Sequence, residues 1–183
     1  APNNIVFCVD ISSSMKYTGK LDLLKASMIE LTNMLRPVDN ITIVTYASEA
    51  SVLMETTSAA DKNKIIKMIE SLEASGHTAG IEGMKLAYSK ACNAFIHGGN
   101  NQIIMATDGG FNRGKGSTIR LAKKYARKNV KMSVLGIKNT WHHRRNMTEV
   151  ASAGQGHFIP IKNYVDAKIA LKQEIMSMSL IRL

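Results

Sequence analysis

Ile5-Val6-Phe7-Cys8-Val9 runs straight into Asp10-Ile11-Ser12-Ser13-Ser14, and the reading of this stretch decides the fold. A continuous apolar run rich in β-branched residues is what a strand covered on both faces looks like. It stops at an aspartate and a hydroxyl-rich loop. The same pattern returns at Gln102-Ile103-Ile104-Met105-Ala106-Thr107, which stops at Asp108-Gly109-Gly110.

Working outward, helical and strand patterns alternate. Leu24, Met28, Leu31 and Leu35 share one stripe of a helix spanning Leu21 to Leu35, and Pro37 ends it. Ile41 to Tyr46 is a β-branched strand, and Ala50 to Met54 a shorter one placed to pair with it as a hairpin. Asp61 is set to cap a helix reaching about Leu72. Ala79 or Gly80 opens another, to about Phe95. After the turn Gly98-Gly99-Asn100-Asn101 and the strand ending at Thr107, helices are expected over Thr118 to Lys128, Met147 to Ala153 and Val165 to Met178. Strands are expected at Val130 to Ile137 and His157 to Pro160, where proline favours an edge or end. The order predicts an α/β fold: a doubly wound, Rossmann-like, mostly parallel sheet with one antiparallel edge strand and helices on both faces.

The chain has 183 residues, 45 % of them hydrophobic and 21 % charged, which suits one globular domain and argues against disorder. No apolar run approaches the roughly 18 residues of a membrane span. The start at Ala1, without Met, reads as a mature or excised fragment. The two cysteines do not make a disulfide scaffold; Cys8 and Cys92 both read as small buried hydrophobes. No spacing resembles a zinc site. The methionines at helical spacing read as core filling. The net charge of +10 is spread over many segments. Its tightest cluster, His142-His143-Arg144-Arg145 beside Trp141, is too short to carry a nucleic-acid interface alone.

Ligands of such sheets bind outside the carboxyl ends of the strands. Three loops converge there: Asp10 to Ser14, Ser75-Gly76-His77-Thr78-Ala79-Gly80, and Asp108-Gly109-Gly110. They bring two carboxylates and several hydroxyls, an oxygen-only set that suits a hard cation. Magnesium fits best, with calcium and manganese as alternatives. An extended loop would aim the Ser12 and Ser14 hydroxyls the same way, and Gly76, Gly80, Gly109 and Gly110 would let the backbone turn tightly. Two aspartates leave little surplus negative charge on a divalent ion. An open coordination position would accept an outside carboxylate.

Asp10-Ile11-Ser12-Ser13-Ser14 resembles the Asp-x-Ser-x-Ser signature of the von Willebrand factor A family, which opens that family's metal-ion-dependent adhesion site. Thr78 matches the family threonine, and Thr107-Asp108-Gly109 its later aspartate motif. Leu35 to Asp39, Ile43 to Ala47, Gly76 to Ile81, Ala106 to Asn112, Asn146 to Glu149 and Gly154-Gln155-Gly156 are similar to bacterial members. The likeness runs from about Ile5 to about Leu171. It implies that residues 1–183 form a single such domain of a longer protein. One divalent cation would be bound by Asp10, Ser12, Ser14, Thr78 and Asp108. A protein partner would supply a Glu or Asp to it. Bacterial relatives also imply a cell-envelope or secreted location. His77, where many relatives have a small residue, reads as a solvated loop histidine.

A non-enzymatic binding module is therefore expected. One alternative is a binder of nucleic acid or an anionic surface driven by charge. Another is a magnesium-dependent hydrolase. The second lacks a carboxylate two positions after Asp10, where Ser12 stands, and shows no phosphate-binding loop.

Overall fold

The computed structural model describes residues 1–77, 80–109, 115–139 and 141–180. Strands β1 (Asn3–Asp10), β2 (Asn40–Tyr46), β3 (Ala50–Ser58), β4 (Asn100–Thr107), β5 (Val130–Ile137) and β6 (Gln155–Ile161) form one sheet in the order β3-β2-β1-β4-β5-β6. All neighbours are parallel except β2 and β3, which make the antiparallel edge. Helices α1 (Lys20–Met34), α2 (Lys62–Glu70), α3 (Gly80–Asn93), α4 (Lys115–Ala126), α5 (Trp141–Ala153) and α6 (Tyr164–Leu180) cover it. The expected doubly wound α/β fold is the observed one.

The apolar run of β1 shows why. Ile5, Phe7 and Val9 enter a core shared with α1, α2 and α6, while Val6 and Cys8 enter a second core under α3 and α5. All five are fully buried. A strand that feeds two cores cannot alternate polar and apolar residues, and burial of each large side chain contributes about 1.5–3 kcal/mol. Close approach of α3 to β2 depends on Gly83, where a Cβ would stand 2.6 Å from the Tyr46 ring.

Several expectations need correction. β3 continues past Met54 to Ser58, although its second half is polar. As an edge strand it faces water, and Thr56 bonds across to Thr42 Oγ1 at 2.8 Å. α5 begins at Trp141 rather than Met147, because its first turns are exposed and carry no apolar stripe; only Met147, Val150 and Ala151 are buried. Cys92 is exposed, while Cys8 is buried. Burial, then the nearby Asp10, pushes the Cys8 thiol far up and leaves it an inert core group. Asp61 makes no side-chain cap on α2; its carbonyl accepts the Ile65 N–H at 3.2 Å instead.

At the amino ends of the strands the first core turns polar. Glu174 of α6 is 5 % exposed. Its Oε1 accepts from Gln102 Nε2 at 2.7 Å and Ser133 Oγ at 2.6 Å, and its Oε2 pairs with His157 Nδ1 at 2.9 Å. One carboxylate thus fastens α6 to three strands. Glu174→Ala is expected to cost about 1–3 kcal/mol, since Gln102 and Ser133 lose a buried acceptor. Urea unfolding should show a lower midpoint at unchanged slope.

Candidate metal centre

β1 lies between β2 and β4, so its carboxyl end is the point where the winding of the sheet reverses. Asp10 is the last residue of β1 and Thr107 the last of β4, with Asp108 next. Ser13–Lys16 form one turn of 3-10 helix, and fully buried Met15 anchors that turn while Ser14 faces out. The third loop is tied to the first. Ser75 N–H donates to the Ile11 carbonyl at 2.7 Å, and the Gly76 carbonyl accepts the Ser13 N–H at 3.0 Å and its hydroxyl at 3.1 Å.

These ties bring four of the five expected site residues together. Ser12 Oγ is 3.2 Å from Ser14 Oγ. Ser14 Oγ donates to Asp108 Oδ1, also at 3.2 Å. Asp10 stands behind them at 1 % exposure. Its Oδ1 accepts the Ser12 N–H and its Oδ2 the Thr107 hydroxyl, each at 2.8 Å. Thr78, the fifth, lies outside the described residues, as do Gly110, Phe111 and Asn112 of the later motif.

The route to this convergence differs from the expected one. Only Ser12 is extended; Ser14 sits in the 3-10 turn, and the turn brings its hydroxyl back beside Ser12. Of the glycines expected to turn the backbone, Gly76 takes the left-handed conformation at φ +85, whereas Gly109 does not. A Cβ on Gly76 would also stand 2.6 Å from Ser48 Oγ. Gly76→Ala is expected to cost about 1–3 kcal/mol, visible as a drop of about 2–4 °C in Tm for each kcal/mol lost. His77 is exposed, and its N–H donates to Ser48 Oγ at 3.1 Å.

Two residues emerge that pattern reading did not assign to the site. Thr107 orients Asp10, as just described. Lys20, at the start of α1, puts its ammonium 2.9 Å from Asp108 Oδ2. Burial pushes the Asp10 carboxyl above its ordinary value, against the hydrogen bonds from Ser12 and Thr107; the nearby Asp108 pushes the same way as burial. A buried carboxylate held by neutral donors, with no lysine or arginine paired to it among the described residues, is an electrostatic deficit that a positive ion would relieve.

The donor set fits a hard divalent ion. Neighbouring ligands of an octahedral ion with bonds of about 2.1 Å lie about 3.0 Å apart, and slightly farther for the longer bonds of calcium. The 3.2 Å separations of Ser12, Ser14 and Asp108 are of that size. Among the described residues no three His, Cys, Asp or Glu side chains gather as a metal-binding group. A cation here would thus depend on hydroxyls and water besides the two aspartates.

An open α/β sheet with aspartates and hydroxyls at its switch point defines a class of domain, and comparison supplies the family. The family model for the von Willebrand factor type A domain matches residues 4–173. The chain belongs to that family. It is 36 % identical over 179 residues to the protein YfbK of Escherichia coli K12, an alignment that covers 96 % of this chain and 31 % of the relative. The chain therefore spans about a third of that relative's length. Among solved structures, BatB of Bacteroides thetaiotaomicron superposes with a TM-score of 0.81 at 23 % identity, covering 98 % of this chain and 99 % of that one. The pilus adhesin SpaC of Lactobacillus rhamnosus GG superposes at 0.74 and 16 % identity, covering 97 % and 30 %. Among the described residues no helix is long and apolar enough to cross a membrane.

Proposed function

We propose that this chain is a metal-dependent protein-binding module and not an enzyme. Ser12, Ser14, Asp108, Asp10 and Thr78 would hold one divalent cation, magnesium first, and a Glu or Asp of a protein partner would complete its coordination. The observation that carries this reading is the cluster of Ser12 Oγ, Ser14 Oγ and Asp108 Oδ1 at 3.2 Å spacings, with exposed Ser14 opening it to solvent. Membership of a family whose domains serve adhesion and protein interaction supports it, as does the shared fold of a pilus adhesin.

The surroundings suit an acidic ligand. The Lys20 ammonium stands beside Asp108, and His143 Nε2 comes within 3.9 Å of where a Cβ on Gly109 would be. When bound, the ion would supply an electrophilic position; Thr107 orients the Asp10 carboxylate that would help to hold it. A hydrolase using Asp10 as nucleophile would call for a second carboxylate two positions on, where Ser12 stands.

Capture of partners from the native source tests the reading. Proteins retained with magnesium should be lost both on adding a chelator and in the Asp10→Ala variant. Retention unchanged under both conditions would contradict it.

A further inference from the structure

We propose that Lys20 is a built-in competitor of the cation, and that it makes the metal and the partner carboxylate bind cooperatively. This rests on the metal reading above and concerns how that site is regulated.

Lys20 opens α1 immediately after Gly19, whose left-handed φ of 72 turns the chain into the helix. A lysine in a first helical turn faces the positive end of the helix dipole, where an acidic residue would be preferred. Its position makes sense through Asp108. The ammonium lies 2.9 Å from Asp108 Oδ2, with the two side chains only 21 % and 8 % exposed. The other oxygen of that carboxylate, Oδ1, accepts the Ser14 hydroxyl. Lys20 therefore grips a site carboxylate that also touches the hydroxyl cluster. Leu23 and Leu24, buried one turn further along α1, hold the backbone that presents it.

Charge counting gives the consequence. Among the described residues, Asp10 and Asp108 contribute two negative charges and Lys20 one positive charge. A divalent ion alone would then leave the site with one surplus positive charge, beside an ammonium that repels the ion. A carboxylate arriving on the open side removes the surplus and is attracted by ion and ammonium together. Each ligand thus raises the affinity for the other, as linkage requires. Without Lys20 the two aspartates would neutralise the ion alone, and a partner would add little.

Calorimetric titration of the intact chain with magnesium and with manganese, in the presence and absence of acetate at fixed ionic strength, tests this. Lys20→Gln should bind metal about tenfold tighter than wild type. Acetate should tighten metal binding to the wild type several-fold more than to Lys20→Gln. Lys20→Arg, which keeps the charge, should follow the wild type. Circular dichroism of each variant confirms that α1 is intact. Binding by Lys20→Gln alone would be the extreme form of the expected result. Equal affinities and equal acetate effects in wild type and Lys20→Gln would overturn the proposal and leave the metal site standing. Failure of all three proteins to bind either ion would overturn the metal reading itself.

Discussion

Asp10→Asn is expected to melt at a higher temperature than the wild type when both are free of divalent cations, and to gain nothing when magnesium or manganese is added. The substitution keeps the shape of the side chain. Asn Oδ1 can still accept the Ser12 N–H, and Thr107 can turn its proton to the Gly109 carbonyl, 3.2 Å away. What disappears is a charge at 1 % exposure. Replacing such a functional charge stabilises by about 0.5–2 kcal/mol, or about 2–4 °C per kcal/mol for a chain of this size. Wild type should overtake the variant once metal is added, by an amount that grows with the logarithm of metal concentration.

The pH dependence has a definite sign. Burial raises the folded Asp10 carboxyl above its unfolded value. As pH falls from neutral, the folded chain takes up this proton before the unfolded chain does. The metal-free wild type therefore recovers stability relative to Asp10→Asn as pH drops through the raised folded value, and the gap stops changing below the unfolded value. Paired thermal melts across that range measure it. A gap independent of pH would show that the deficit at Asp10 is not electrostatic.

Gly156→Ala is expected to be the most damaging single-methyl change, at about 3 kcal/mol or more. Met132 pairs with Gln155 and Val134 with Phe158, so Gly156 and His157 together face Ser133 in a bulge. Gln155 enters it at φ 58. The His157 N–H leaves the ladder for Ser133 Oγ at 3.0 Å. A Cβ on Gly156 would stand 1.9 Å from the Met132 carbonyl oxygen and 2.4 Å from its carbon. Those are backbone atoms of the neighbouring strand, so no rotamer change relieves the clash. The bulge must open, and with it the Ser133–Glu174–His157 clip on α6. Urea unfolding should show the loss, and hydrogen exchange should place it in β6 and α6 first.

The sequence carried the fold wherever burial left a strong mark. β1 and β4 are unbroken apolar runs because each feeds two cores, and both end at the aspartates that face each other across the site. It was weaker where an element is half wet. The outer half of β3 and the first turns of α5 are polar because water, not a core, lies against them. Ser12 and Ser14 were legible as hydroxyls two apart, but the 3-10 turn that joins them depends on buried Met15 and on the Gly76 carbonyl, contacts that spacing does not reveal. Lys20 was illegible for a related reason. Its partner Asp108 is 88 residues away, and a lysine opening a helix looks like any solvated one. The Gly156 bulge shows in sequence only as a glycine near a strand start.

The most direct test is the number of manganese ions bound per chain, read by electron paramagnetic resonance, for the wild type and for a Ser12→Ala, Ser14→Ala double variant. Ser14 is exposed, and buried Ser12 keeps its backbone N–H bond to Asp10 in the variant, with Asp10 and Thr107 left in place, so the double variant should stay folded. The account predicts one ion on the wild type and none on the double variant at the same concentration. No ion on the wild type, or the same occupancy in both, would contradict it.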